Sequence, residues 1–219
     1  MIKIQNNTAT RDPLPGFLQG LAVESLRDLS WTDPALGVQD AAWWPEEQDW
    51  PALEPGERYT DETLTIDAER FVVISTRGKE PLDGQELADF LDAERDRLTQ
   101  AATDKRWSVM TGGLTLPGGI AVGTEIDDQN RITSVVANAE LAGLTDEDEV
   151  DFKAASGWVR ISIGQVKAIA GAIGQFVQAC YSAERAHHEA IELLETPAEI
   201  NAYDLDSGWP QTEPETAET

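Results

Sequence analysis

The feature that most constrains this chain is a long apolar periodicity in its second half. From Ser162 to Leu194, apolar side chains recur at steps of three and four residues, which is the spacing of one helix face. Gln165 stands three residues after Ser162, and this pairing forms a capping box that marks a helix start. We therefore expect a single helix of roughly thirty residues, about 45 Å long at 1.5 Å per residue.

A helix of this length exceeds what a small domain needs to cover its own core. We therefore predict that part of its apolar stripe packs on a second copy of the chain, so that the protein is a homo-oligomer. The candidate interface residues on this helix are Val166, Ile173, Phe176, Val177, Ile191 and Leu194.

Shorter elements precede this helix and complete a domain expected over residues 107–196. Leu114–Leu116 and Ile120–Val122 are short apolar runs on either side of Pro117-Gly118-Gly119. Two such runs around a proline and two glycines predict a β-hairpin.

A second, shorter helix is expected between the hairpin and the long helix. Apolar residues at helical spacing place it from Gln129 to about Leu141, with Asp127 or Asp128 as its N-cap. Trp158–Ile161 then predicts a short strand directly before the long helix.

The first half of the chain has a different character. Residues 1–80 are rich in Trp, Pro and Asp, and Leu64–Asp67 and Phe71–Ser75 predict two strands. Residues 81–106 predict a connector helix, since apolar residues again recur at helical spacing. The predicted fold class is α+β: a small β-rich N-terminal module, a connector helix, and a mainly helical C-terminal domain with a β-hairpin and one long helix.

Tryptophans are concentrated in the N-terminal module, where four of the seven lie between Trp31 and Trp50. Trp43, Trp44 and Trp50 are the candidate interface residues of this module. Large rings can also form the core of a small module, so a core and an interface are both possible interpretations of these tryptophans. A carbohydrate-stacking platform is a third and weaker reading.

The net charge limits the classes of partner. Sixteen Lys and Arg face forty-one Asp and Glu, for a formal charge of −25. A surface this acidic repels phosphate backbones and anionic membranes, so we expect no nucleic-acid binding. No apolar run reaches membrane-spanning length, so no membrane insertion is expected. The single cysteine, Cys180, excludes an internal disulfide.

Acidic clusters are the remaining candidates for a metal site. The run Thr145–Glu149 lacks the glycine spacing of a calcium loop and predicts a solvated loop. Glu184, His188 and Glu192 share one helix face, but two carboxylates and one imidazole are a weak signal, and solvated charges are the better reading. Residues 197–219 predict an acidic flexible tail. We therefore expect no metal and no cofactor.

Several short runs follow one another in a fixed order between residues 95 and 195. They are Arg95-Asp96-Arg97, Gly112-Gly113-Leu114-Thr115-Leu116, Asp127-Asp128-Gln129-Asn130-Arg131-Ile132, Ile161-Ser162-Ile163-Gly164-Gln165 and Gln178-Ala179-Cys180-Tyr181. In order and spacing they resemble a domain family of unknown molecular function found mainly in bacteriophage and prophage tail proteins. The aromatic stretch at Trp43-Trp44-Pro45 also resembles N-terminal regions of tail-fibre-associated proteins.

The resemblance implies a non-enzymatic bacteriophage tail protein, a structural component of the tail tip or tail fibre. Its partners would be other tail or tail-fibre proteins, and it would reside in the virion after assembly in the host cytoplasm. A tail-fibre assembly chaperone absent from the virion is the first alternative. A glycan-binding or glycan-degrading receptor-interaction protein is the second. No catalytic residue is implied by the resemblance.

Overall fold

The computed structural model describes residues 1–117, 119–154 and 157–212, and the fold is α+β. The chain divides into two compact units, Met1–Leu87 and Ala88–Thr219. Small β-sheets build the N-terminal unit, whereas helices and β-hairpins build the C-terminal unit. The fold class predicted from the sequence is therefore confirmed.

Six strands and one short helix form the framework of the N-terminal unit. They are β1 (Ile2–Gln5), β2 (Thr8–Thr10), α1 (Val23–Leu26), β3 (Ala41–Trp44), β4 (Glu46–Asp49), β5 (Glu57–Asp67) and β6 (Val72–Pro81). The first sheet has the antiparallel order β2–β1–β3. The second has the order β4–β6–β5, with β4 parallel and β5 antiparallel to β6.

The β1–β2 hairpin follows from two adjacent asparagines. Asn6 and Asn7 both adopt positive φ values, 50° and 57°. A two-residue turn with both residues in the left-handed region matches the twist of antiparallel strands, and asparagine tolerates this region well. This hairpin was not predicted, although its turn signal is present in the sequence.

Strand β3 holds the core of the N-terminal unit because both of its faces are covered. All four of its residues are buried. On one face, Trp43 packs in a cluster with Leu18, Leu26 and Leu29. On the other face, Trp44 packs with Ile2, Ala42 and Val73 in a second cluster. Side chains that alternate across a central strand give this two-sided burial.

A chain of polar contacts ties the strands of the second sheet together. Trp50 Nε1 donates to Ser75 Oγ at 2.9 Å, and Ser75 Oγ donates to Glu62 Oε1 at 2.6 Å. Arg11 Nε donates to Glu62 Oε2 at 2.6 Å, and Arg11 Nη2 donates to Glu46 Oε1 at 2.7 Å. The Arg11 guanidinium, followed by the Ser75 hydroxyl, lowers the pKa of Glu62 to about 2.

The Glu62 carboxylate is expected to make the N-terminal unit less stable in acid. The pKa of Glu62 is about 2 in the folded chain against an ordinary 4.5. Its ionised form therefore stabilises the fold fully above the ordinary value, and this contribution is lost as the pH falls from about 4.5 towards about 2. The loss in free energy of unfolding caused by Glu62→Gln should be largest at neutral pH and shrink through this window.

Urea unfolding of both proteins at about pH 7, 4.5 and 3 measures this difference. Glu69→Gln, at an exposed turn position of the same unit, is the matched control and should show a small difference at every pH. A Glu62→Gln difference that stays constant across the window would contradict the expectation.

Eight further elements follow. They are α2 (Gly84–Thr111), β7 (Leu114–Leu116), β8 (Ile120–Val122), α3 (Ile126–Leu141), β9 (Glu149–Ala154), β10 (Gly157–Ser162), α4 (Ile163–Glu192) and α5 (Pro197–Ala202). The division between the units falls in the first turn of α2, not at residue 80. Helix α2 also continues past residue 106, where the connector helix was expected to end.

The predicted hairpin and the long helix are both present. Strands β7 and β8 pair antiparallel, with Leu114 opposite Val122. Helix α4 has 30 residues and begins with the predicted capping box. Ser162 Oγ accepts from Gln165 N at 3.2 Å, and Gln165 Oε1 accepts from Ser162 N at 2.9 Å.

Helix α3 begins earlier than predicted. Glu125 occupies the N-cap position without a capping side-chain hydrogen bond, and Asp127 and Asp128 lie in the first turn. Neither aspartate is therefore the N-cap. Their carboxylates lie near the positive end of the helix dipole, which favours acidic residues there.

Strand β9 was not predicted, and the acidic loop predicted over Thr145–Glu149 overlaps it only at Glu149. Residues 145–148 do form a turn, in which Asp148 Oδ2 accepts from Thr145 N at 2.7 Å. From Glu149 the chain is extended and pairs with β10 over six residues. Val150 and Phe152 alternate with charged residues, and both pack on the core of the unit. This alternation was the available strand signal.

Helices α2 and α4 pack antiparallel in the C-terminal unit. Their contacts run in opposite order along the two helices, from Arg95 with Leu194 and Arg106 with Glu184 to Met110 with Phe176. The Arg95 guanidinium donates to the Leu194 carbonyl at 2.7 and 3.0 Å, which ties the chain just beyond the end of α4 to α2. Arg106 Nε lies 2.7 Å from Glu184 Oε2, and both side chains are nearly buried.

The C-terminal stretch differs from the flexible tail expected over residues 197–219. Helix α5 begins with a second capping box, Thr196 with Glu199, and its Ile200 is buried. Beyond it the chain stays packed as far as Thr212, whose carbonyl accepts from Thr115 N at 2.8 Å. The last seven residues of the predicted tail lie outside the described residues.

A buried histidine holds this C-terminal stretch. His187 Nε2 lies 3.0 Å from the Ser207 carbonyl, which only a donor satisfies, so the proton is assigned to Nε2. Nδ1 then accepts from the Tyr203 hydroxyl at 2.7 Å. The Trp209 ring stacks on the imidazole with the centroids 4.9 Å apart. The imidazole is therefore paired at both nitrogens.

Candidate functional site at the hairpin end of the C-terminal unit

The helix residues predicted as an interface between copies lie inside the C-terminal unit. Val166, Ile173, Phe176 and Ile191 are buried, and Val177 and Leu194 are half-buried. Val166 and Ile173 pack in the core between α3, α4 and the hairpins, and Phe176 packs on α2. This corrects the interface prediction, because the antiparallel helix α2 and the hairpins cover the stripe that a partner was expected to cover.

The tryptophan residues predicted as an interface are also internal. Trp43 and Trp44 are buried, and each indole N–H is satisfied by a backbone carbonyl, of Asp12 and Arg27 respectively. Trp50 is half-buried and donates to Ser75. The core reading is therefore the correct one for Trp43 and Trp44, and neither ring is available as a sugar platform or as a partner contact.

The described residues contain a mixed polar and apolar cleft where α3 meets the β9–β10 hairpin. Its volume is about 600 Å³. Its apolar lining comes from Val122, Ile132, Val135, Phe152 and the ring of Trp158. Its charged lining comes from Asp128 and Arg131 on α3 and from Asp151 and Lys153 on β9.

Strand alternation places Trp158 at this cleft. On β10, Val159 and Ile161 are half-buried on one face of the hairpin. Trp158 therefore lies on the opposite, outer face, where it is 75% exposed. Its partner across the hairpin is Lys153, whose Nζ lies 6.0 Å from the centre of the ring. A cation at this distance from an indole is at the limit of a cation–π contact.

The carboxylate of Asp128 is held in place by its neighbours. Arg131, one helical turn later, pairs with it at 3.1 Å. On its other side lies Gly123, where a Cβ atom would come within 2.1 Å of Asp128 Oδ2. Only a residue without a side chain therefore permits this position of the carboxylate, so Gly123 and Arg131 together define where Asp128 points.

A second depression, of about 530 Å³, lies beside this cleft and is predominantly apolar. Leu116 and Ile120 from the β7–β8 hairpin, Val159 and Ile161 from β10, and Ala168 from α4 line it. We call it the apolar groove. Val122 and Phe152 line both depressions. Ile120 is 51% exposed, so part of this apolar surface is open to solvent.

The residues considered for a metal site are Glu184, His188 and Glu192 on α4 and the run Thr145–Glu149. Glu184 pairs with Arg106 and is nearly buried, which corrects its reading as a solvated charge. Within the described ranges, no group of three or more His, Cys, Asp or Glu side chains is arranged to hold a metal ion.

Cys180 is buried, and this burial raises the pKa of its thiol. Among the described helices, none combines the length and apolarity needed to cross a membrane.

Comparison with known families finds a match for the C-terminal half of the chain. A family model described as a domain of unknown function (DUF4376) matches residues 93–206, slightly more than half of the chain. The chain belongs to the DUF4376 family. The DUF4376 match spans α2 from residue 93 to the loop after α5, and it contains the cleft, the apolar groove and the buried His187. No curated protein and no solved structure matches the chain.

The description of DUF4376 states no function, so the phage-tail assignment remains a prediction. The DUF4376 domain nevertheless contains the feature that sequence reasoning missed, which is the cleft with Trp158 at its edge. Trp158 was treated only as the start of a strand. The alternation of Trp158 and Arg160 with the apolar Val159 and Ile161 was the signal that its ring would point outwards.

Proposed function

We propose that this chain is a non-enzymatic bacteriophage tail protein that serves as a structural component of the tail tip or tail fibre. The proposal rests on the resemblance over residues 95–195 to tail-associated domains. The structural observation that supports it is the apolar groove of the DUF4376 domain, because an apolar depression with the half-exposed Ile120 in its lining is a surface that a protein partner can cover. Assembly with other tail or tail-fibre proteins would cover such a surface.

Homo-oligomerisation remains part of this proposal, but a different surface now supports it. The apolar stripe of α4 no longer motivates it, since that stripe is buried within the chain. The apolar groove is the surface that a second copy would use. Light scattering of the purified protein at micromolar concentration measures the mass directly, and Ile120→Asp should lower it to that of one chain. A wild-type mass of a single chain would contradict self-association.

The location proposed for the protein is the virion tail after assembly in the host cytoplasm. A proteomic inventory of purified phage particles tests this, with copy number measured against the major capsid protein. Peptides at a small multiple of three or six per particle are expected. Absence from clean particles, with co-purification beside the fibre from infected cells, would overturn the structural role and favour the assembly chaperone instead.

A further inference from the structure

We propose that the cleft between α3 and the β9–β10 hairpin binds a neutral saccharide, with the Trp158 ring as the stacking surface. This inference does not depend on a location in the phage tail, because it rests on the lining of the cleft alone. It replaces the sugar platform considered for Trp43 and Trp44, which the structure buries.

The exposure of Trp158 is the first observation that points to a ligand. Three-quarters of this side chain is open to solvent. Its indole N–H makes no hydrogen bond within the described part of the chain, whereas the indole of the exposed Trp31 donates to the Ser25 carbonyl at 3.3 Å. An open aromatic face with a free donor suits a ligand that is apolar on one face and rich in hydroxyls at its edges.

The charge balance of the cleft favours a ligand without net charge. Two carboxylates, Asp128 and Asp151, and two cations, Arg131 and Lys153, line it, so its formal charge is zero in a chain of −25. An anion would face both carboxylates, and a cation would face Arg131 and Lys153. A polyhydroxyl ligand presents donors to the carboxylates and acceptors to the cations at the same time.

Preorganisation of the charged groups supports specific binding. Asp128 is fixed between Gly123 and Arg131, as the close approach at Gly123 requires. The carboxylate and the guanidinium are both planar groups with two parallel hydrogen-bonding positions, which match a pair of adjacent hydroxyls. Groups that are already in place lose little entropy when a ligand binds.

The size of the cleft agrees with a short oligosaccharide. About 600 Å³ lies within the range of roughly 300–1,000 Å³ that is typical of small-molecule sites. Val122, Ile132 and Phe152 supply the apolar part of the lining that such sites show. The two depressions therefore differ in chemistry, since the apolar groove lacks charged residues in its lining.

Saturation-transfer NMR with the full chain tests the proposal. The probes are maltotriose, mannotriose, galactose, rhamnose and N,N′,N″-triacetylchitotriose, each at millimolar concentration. We expect saturation transfer to at least one of them. Binding should be about tenfold weaker in Trp158→Ala, because the free energy of such a change is similar to that of stacking one planar nucleobase on an aromatic side chain, which is a related contact. The matched control is Trp107→Ala, which removes a half-exposed ring of the same unit outside the cleft and should leave binding unchanged.

A second variant tests the polar half of the cleft. Gly123→Ala places a Cβ atom where the Asp128 carboxylate lies, so it should weaken binding while Trp158 stays in place. Circular dichroism establishes that each variant is folded. Saturation transfer to none of the probes would overturn the proposal. Transfer that survives Trp158→Ala, or that Trp107→Ala removes equally, would also overturn it, because binding would then not occur in this cleft.

Discussion

Trp43→Ala is expected to lower the free energy of unfolding of the N-terminal unit by about 3–5 kcal/mol, the cost typical of removing a buried tryptophan. Only 2% of Trp43 is exposed, and its ring packs in a cluster with Leu18, Leu26 and Leu29, which precede β3 in the chain. Alanine would leave a cavity there and would also leave the Asp12 carbonyl without its indole donor.

Hydrogen exchange measured by mass spectrometry is the appropriate measurement, because it reports on the two units separately. Peptides from the first unit should lose protection in Trp43→Ala, and peptides from α4 should keep it. Trp31→Ala is the matched control. Its ring is 60% exposed, so the expected change is below about 1 kcal/mol. Equal effects of the two substitutions would contradict the assignment of Trp43 to the core.

Glu184→Ala is expected to lower the free energy of unfolding of the C-terminal unit by about 3–5 kcal/mol, because it leaves the charge of Arg106 buried without its partner. The two side chains are only 11% and 14% exposed, and they join α2 to α4. The guanidinium also lies 4.6 Å from the centre of the Tyr181 ring, which packs against it.

An exposed ion pair on the same helix provides the control. Arg185 and Glu189 lie 2.7 Å apart but are 81% and 60% exposed, so Glu189→Ala should cost about 0.5 kcal/mol or less. Thermal and urea unfolding of both variants measure the contrast. The double variant Arg106→Met with Glu184→Leu should recover most of the loss, since it removes both charges at once. A Glu184→Ala cost as small as that of Glu189→Ala would show that the pair is solvated.

Local signals in the sequence were sufficient for several elements. The start of α4 depends on Ser162 and Gln165, which act within one turn, and its length depends on a periodicity that is continuous along the chain. The β7–β8 hairpin depends on a turn between two short apolar runs. Such features involve residues close in sequence, so their physics can be evaluated without the rest of the fold.

Strand β9 and the C-terminal stretch were not predicted from such local signals. The acidic residues near Glu149 concealed the alternation of Val150 and Phe152, and β9 is stable only because β10 pairs with it and the helices cover its apolar face. The stretch after α5 is polar in composition, yet Tyr203 and Trp209 hold it on His187 of α4. These contacts join residues that composition alone does not relate.

The sequence by itself therefore determined the fold class, the capped long helix and the hairpin, because propensity, capping and periodicity act over a few residues. It also determined that the stripe of α4 had to be buried. Only the tertiary structure decided that α2 and the two hairpins bury it instead of a second copy. It likewise decided that Trp43 and Trp44 face the core while Trp158 faces solvent. An apolar side chain needs burial, but which surface buries it depends on contacts between residues far apart in the chain.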